Sequence, residues 1–296
     1  MKYRSIAVIG ADGNIGRVLV PYLEAAGHTT RLFDVTDGCG FRGCSFLDVT
    51  DRVGLFRALR DPDAHFDAVI NLAALPSRVL CEQDTVKALW INTTGAHNVA
   101  EVCDRLGLRL LHVSTSEVAL PVNWYGWTKL WGEQAVLYAV RERKLNAVVV
   151  RPFMFYHEEE TIAPYRSFMI RLVSDLLLDR PVEVHAGTDR AWCHMDDGVE
   201  MMQRVLESGL WDISVDIGVS ETISTERLSA MVCERLGKPL DLLRRVSLPE
   251  RMHASKEADL NVIRRLGCAQ QVALTAGLDR VIRRVKERLG IENHGA

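Results

Sequence analysis

Ser5-Ile6-Ala7-Val8-Ile9-Gly10-Ala11-Asp12-Gly13-Asn14-Ile15-Gly16 is the stretch on which the fold turns. A short β-branched run leads into three glycines spaced G-x-x-G-x-x-G, and an amphipathic stretch near 14–26 follows. Glycine lets the backbone turn sharply and approach a pyrophosphate, which then rests on the N-terminus of the helix. A tight turn without a ligand is the plainer alternative. Asp34 closes the next run, in Arg31-Leu32-Phe33-Asp34. A carboxylate there accepts hydrogen bonds from both adenosine ribose hydroxyls and repels a 2′-phosphate, so NAD is expected rather than NADP. Asp48 ends a third run, placed to meet the adenine amino group; taken alone it is an ordinary loop residue.

Outward from this motif, strand-like runs recur at 5–9, 29–33, 68–70, 108–113 and 146–150, with helix-like stretches near 14–26, 51–60, 84–106 and 124–143. That alternation predicts a parallel sheet with right-handed crossovers. The expected class is α/β: a Rossmann-type doubly wound sheet over 1–152, with a returning segment near 187–217, and a smaller mixed α/β substrate lobe over 153–296. The lobe carries a helix-like piece at 167–179, a strand at 182–185 and a helical region at 272–289. The proline and acidic cluster from Pro152 to Glu160 is the candidate boundary.

Composition excludes several function classes. With 296 residues, 48% hydrophobic and 25% charged, the chain can bury a core without disulfide or metal staples. A net charge of −3 offers no global field for nucleic acid, and the C-terminal arginines at helical spacing read as a solvated face. No apolar stretch is long enough for a membrane span, and Met1 to Ile6 runs straight into a strand pattern without a signal-like segment. The seven cysteines are odd in number and form no C-x-x-C pair, so reduced thiols and a cytoplasmic location are expected, with no metal site.

Leu111-His112-Val113-Ser114-Thr115-Ser116-Glu117 places hydroxyls and a carboxylate at the carboxyl end of a buried strand, where open α/β sheets bind ligands. Tyr125 and Lys129, in Tyr125-Gly126-Trp127-Thr128-Lys129, share one helix face. An ammonium about 4.5 Å from the phenol, at an effective dielectric near 20, favours phenolate by roughly 3–4 kcal/mol. Tyr125 can then exchange a proton with a substrate alcohol while Thr115 holds the oxygen. A surface tyrosine and lysine on an amphipathic helix are the alternative.

The glycine loop, Asn71-Leu72-Ala73-Ala74, Asn92, Ser114-Thr115-Ser116, Tyr125 with Lys129, and Arg151-Pro152 together resemble the extended short-chain dehydrogenase/reductases. The chain is most similar there to the NAD-dependent nucleotide-sugar epimerases, dehydratases and decarboxylases. The resemblance implies catalytic roles for Thr115, Glu117, Tyr125 and Lys129. For the cofactor it implies Gly10, Gly13, Asn14, Ile15, Gly16, Asp34, Asp48, Val49, Leu72, Ala73, Ala74, Asn92, Ser114, Tyr125, Lys129 and Phe153; for the substrate, Ser116 and Arg190. Lys129 would also hold the nicotinamide ribose, and Glu117 would be a second base once a 4-keto group acidifies its neighbouring carbon. A nucleotide sugar is the implied substrate, and a homodimer built on the helices near 84–106 and 124–143 the implied assembly. His157 and His194 read as structural.

Three departures stand out: Tyr125 follows Thr115 by only ten positions, Met154 replaces an asparagine, and Ala119-Leu120 replace Tyr-Gly. They keep two rivals open: a dehydrogenase/reductase of a small alcohol or ketone, and a dinucleotide-sensing regulatory module that lost catalysis.

Overall fold

The computed structural model describes residues 5–36 and 41–291; Cys39 and the first four residues, read above from sequence, lie outside that range. The chain forms two compact units. The first comprises Met1–Pro152, Val199–Ile217 and Asp259–Cys268, and the second Phe153–Gly198, Gly218–Ala258 and Ala269–Ala296.

The first unit is organised on a seven-stranded parallel sheet. Its strands are β1 (Ser5–Ile9), β2 (Thr29–Asp34), β3 (Ser45–Phe46), β4 (Ala68–Asn71), β5 (Arg109–Val113), β6 (Ala147–Pro152) and β7 (Ile213–Ile217), in spatial order β3-β2-β1-β4-β5-β6-β7. The order reverses between β1 and β4, the place where this architecture opens a crevice at the strand ends. Ile6 lies opposite Thr30 on one side and Ala68 on the other. Central strands read as unbroken apolar runs because both faces are covered; Ile6, Ala7 and Val8, like Val148, Val149 and Val150, are fully buried. The expected α/β doubly wound class is what the chain adopts. The seventh strand, β7, was not read as a strand from sequence.

The covering helices are α1 (Asn14–Ala25), α2 (Arg52–Leu59), α3 (Arg78–Gln83), α4 (Thr85–Leu89), α5 (Ala96–Leu106) and α6 (Trp124–Arg143). Their starts follow local chemistry: Asp51 accepts from the Val53 and Gly54 N–H groups, and Asn123 from that of Gly126 at 2.9 Å. Between α4 and α5, Trp90–Gly95 winds as a π-helix, a turn holding one residue more than the α-helical repeat. There α6 comes so close that a β-carbon on Gly132 would collide with the Asn92 carbonyl oxygen. Only glycine fits.

In the second unit, short strands pair across long sequence gaps. Val182–His185 runs parallel to Leu243–Val246, Phe155–Tyr156 parallel to Cys193–His194, and Asp189–Arg190 antiparallel to Ile223–Ser224. Helices Phe168–Leu177, Thr225–Leu236 and Leu274–Leu289 bury Met169, Leu172, Leu228, Val232, Leu278 and Val281 in its core. Each such side chain, fully buried, contributes about 1.5–3 kcal/mol.

Candidate functional site

The glycine loop leaves β1 at Gly10, whose φ of +82° suits glycine and whose missing β-carbon would otherwise stand 2.8 Å from the Ala73 nitrogen. The N–H groups of Gly10 and Ala11 both donate to Phe33 O, at 2.8 and 3.1 Å. Helix α1 then starts at Gly13 with no side-chain cap, and Asn14, Ile15 and Gly16 form its first turn. A helix beginning in this way directs uncapped N–H dipoles at the space above the loop, which suits a pyrophosphate.

Asp34, buried at the end of β2, accepts from Asp12 N at 2.9 Å and from the Thr36 N and Oγ1 at 3.1 and 3.0 Å. Its carboxylate is thereby fixed beside the loop. Asp48 accepts from Thr50 N and Oγ1, both at 2.8 Å, in a self-closed turn, and the buried Val49 offers its carbonyl to Asn98 at 3.0 Å. Leu72, Ala73 and Ala74 follow β4, where Leu72 N bonds Ile9 O and Ala73 N bonds the Asn71 side chain. Asn92 braces this loop: its amide accepts from Leu75 N at 2.8 Å and donates to Leu75 O at 3.2 Å and Thr128 Oγ1 at 3.1 Å.

At the end of β5 the structure brings together Ser114, Thr115, Ser116, Glu117, Tyr125 and Lys129. Ser114 Oγ is buried without a hydrogen-bond partner. Thr115 caps a 3₁₀ turn over Ser116–Ala119, accepting from Glu117 N at 3.3 Å, and its hydroxyl bonds the Tyr125 phenol. Ser116 is buried within that turn. Lys129, only 2% exposed, donates from Nζ to Val113 O at 2.7 Å. Glu117 accepts from Asn123 Nδ2 at 3.4 Å, so the short connection ties this carboxylate to the cap of the tyrosine helix.

One expectation needs correction. Lys129 does not hold the Tyr125 phenol down in the free chain: burial pushes it up to about 12, the Glu117 charge adds to that, and only the Thr115 hydroxyl opposes it. Burial likewise lowers Lys129 to about 8, with the Glu133 carboxylate opposing. At both groups desolvation outweighs the interaction that opposes it. In the free protein Tyr125 is therefore a phenol, the form that gives a proton.

Sequence reasoning missed Asn123 and Glu133, and it gave Arg151 no role of its own. Asn123 precedes the helical pattern, where a cap is expected. Glu133 follows Lys129 by four residues, and Arg151 closes a strand facing it. Glu133, fully buried, takes Arg151 Nε at 3.2 and 3.1 Å and also the Arg151 Nη2 group.

Phe153 and Arg190 belong to the second unit. Phe153 is buried, and a β-carbon on Gly218 would stand 3.0 Å from its Cβ. Arg190 is buried and donates to the carbonyls of Asp189, Ala254 and His253 at 2.8, 2.6 and 2.5 Å. Much of its donor capacity serves this backbone.

The same unit gathers His157, Glu158 and His194, the set of metal-ligand types found among the described residues. His157 Nδ1 accepts from Glu159 N at 3.1 Å, and His194 Nδ1 from Asp196 N at 3.3 Å. Each ring therefore carries its proton on Nε2 and points it at a carboxylate, His194 to Glu158 at 2.9 Å and His157 to Asp196 at 3.3 Å. Arg280 adds a cation 3.0 Å from Asp196. A metal ion would need both imidazoles to exchange tautomers against fixed backbone donors.

A family model described as the NAD dependent epimerase/dehydratase family matches residues 6–218. The chain belongs to this family. Its cofactor is NAD, and the uncapped α1 terminus, the fixed Asp34 and the partnerless Ser114 hydroxyl fit that dinucleotide. Among curated relatives, the chain is 35% identical over 166 residues to a dTDP-4-dehydrorhamnose reductase of Mycolicibacterium smegmatis, covering 51% of this chain and 46% of that protein. It is 27% identical over 177 residues to the methionine adenosyltransferase 2 subunit beta of Mus musculus, covering 54% and 49%. The chain thus spans about half the length of the curated relatives it matches. Among solved structures, DesIV, a dTDP-glucose 4,6-dehydratase from Streptomyces venezuelae with NAD and TYD bound, superposes with a TM-score of 0.84 at 21% identity, covering 98% of this chain and 99% of that one. The X-ray structure of Pal from Bacillus thuringiensis gives 0.85 at 19%, covering 96% and 99%. These likenesses establish the fold. No helix of the described residues is long and apolar enough to cross a membrane.

Proposed function

We propose that the chain is an enzyme that moves a hydride and a proton at a hydroxyl-bearing ring carbon of a nucleotide-linked sugar. The observation that carries this is the Thr115 hydroxyl bonded to the Tyr125 phenol beside a buried Lys129 at the β5 end. NAD, when bound, supplies the hydride acceptor or donor. As phenolate, Tyr125 takes the proton of the hydroxyl in oxidation; as phenol, it gives that proton to the keto oxygen in reduction, while Thr115 holds that oxygen and Lys129 supplies positive charge and a donor for the nicotinamide ribose. Ser116 and Arg190 serve the sugar nucleotide. Glu117, beside Tyr125 and held by Asn123, acts as the second base on the carbon next to a transient 4-keto group. The hydride is then borrowed and returned.

A second reading, net reduction of a keto sugar or small ketone by NADH, is supported by the protonated Tyr125 and by the relatives named as dTDP-4-dehydrorhamnose reductases. Incubation with a panel of sugar nucleotides and stoichiometric NADH separates the two. Product without a net change in NADH absorbance supports the borrowed hydride, net consumption supports reduction, and failure to bind either form of NAD defeats both. The regulatory-module alternative gains only if Tyr125→Phe leaves every measured activity unchanged.

We also propose a homodimer through the face that leaves Val86, Trp90, Trp127 and Tyr138 between 41% and 63% exposed. Cys81, Cys103, Cys193, Cys233 and Cys268 are free thiols, which fits a reducing cytoplasm.

A further inference from the structure

We propose that Glu133 is a positioning residue that keeps Lys129 in its ammonium form, with the half-buried Arg151 and Asp216 completing a chain of alternating charge. This deepens the reading of Lys129 as part of the proton-transfer set and rests on it.

Lys129 and Glu133 stand four residues apart on one face of α6, and both are buried. Among the described residues the Lys129 ammonium has one hydrogen bond, to a neutral carbonyl. An ammonium out of water with so little compensation sheds its proton unless a carboxylate is near. The groups facing it are few: the Cys81 thiol from α3, His112 from β5, Tyr125 one turn before it and Glu133 one turn after it. Burial holds the Cys81 thiol at about 11 and keeps His112 neutral, so neither supplies the missing charge near neutral pH. Tyr125 is protonated. Glu133 is the remaining anion. Arg151 grips both of its oxygens, and Arg151 in turn has Asp216 at 4.0 Å.

The test reads Lys129 directly, in the full chain without cofactor or substrate. Carbon-13 labelling of the seven lysines lets their Cε resonances be titrated by NMR, with Lys129 assigned by its loss in Lys129→Met. Glu133→Gln should lower the Lys129 midpoint by about one unit or more, while Glu133→Asp restores it. Where Glu133→Gln alone fails to fold, Glu133→Gln with Arg151→Gln replaces the ion pair by an amide pair and should show the same direction. A midpoint unchanged to within a few tenths in a folded variant overturns the inference. A shifted midpoint in a chain that turns over no sugar nucleotide leaves the inference standing and removes the proposed reaction instead.

Discussion

Two clusters of buried polar groups sit in this chain, one in each unit, and they differ in how their hydrogen-bonding capacity is used. In the second unit each imidazole of His157 and His194 accepts a backbone N–H on one side and faces a carboxylate on the other, and Arg280 closes the set. At the β5 end of the first unit, Ser114 Oγ has no partner, Lys129 spends one donor on a carbonyl, and α1 begins without a cap. Capacity left over in a buried place costs stability, about 1–3 kcal/mol for an unsatisfied group. That cost is tolerated where a ligand completes the bonding. Satisfied clusters hold a fold; incomplete ones mark a site.

The hardest blow to this contrast falls on Tyr125. Tyr125→Phe should lower turnover by roughly 10²–10⁴-fold, with NAD affinity and melting temperature near those of the unaltered protein; a loss under tenfold would place the chemistry elsewhere. Next in size is Asp34→Ala, expected to weaken NAD binding about tenfold, the worth of one charge-assisted hydrogen bond, and to narrow the preference over NADP. Titration calorimetry with both cofactors reads it.

Replacements in the cluster of His157, Glu158, His194 and Asp196 should act on stability alone. Glu158 and Asp196 are held below their ordinary carboxylate values by His194 and His157. For such depressed acids the stabilisation is present above the unfolded values, near 4, and is lost as pH falls through the lower folded ones. Glu158→Gln should therefore cost about 1–2 kcal/mol near neutral pH, and the gap from the unaltered protein should close on acidification below about pH 4. Denaturant melts across that range check the sign. Smallest of all is the effect of zinc: because both Nε2 atoms carry protons, micromolar Zn²⁺ should leave the melting temperature unchanged. A rise that disappears in His194→Gln would show that the cluster is a ligand set after all.

Most of the first unit could be read from sequence because its signals are local. Gly10 to Gly16, Asp34 and the Tyr125–Lys129 pair each lie within one turn or one strand end, where spacing translates directly into geometry. The second unit hid its order for the opposite reason. Val182–His185 finds its partner at Leu243–Val246, some sixty residues on, and no short window carries that pairing. Glu133 escaped because its role depends on a strand arriving from elsewhere, and the phenol's direction was misjudged because composition does not reveal how dry a pocket is.

The overfilled turn at Trp90–Gly95 sets the phase of everything downstream of it. Asn92 reaches Leu75 on one flank and Thr128 on the other only because that turn is wound one residue full. Deleting a single residue there would rotate the following side chains by about 100° around the helix axis, swinging the amide away from both anchors. The loop after β4 and the tyrosine helix would lose their common fastening in one step, with no residue of the proton-transfer set altered. A lineage that trimmed this turn would keep its motif and lose its register.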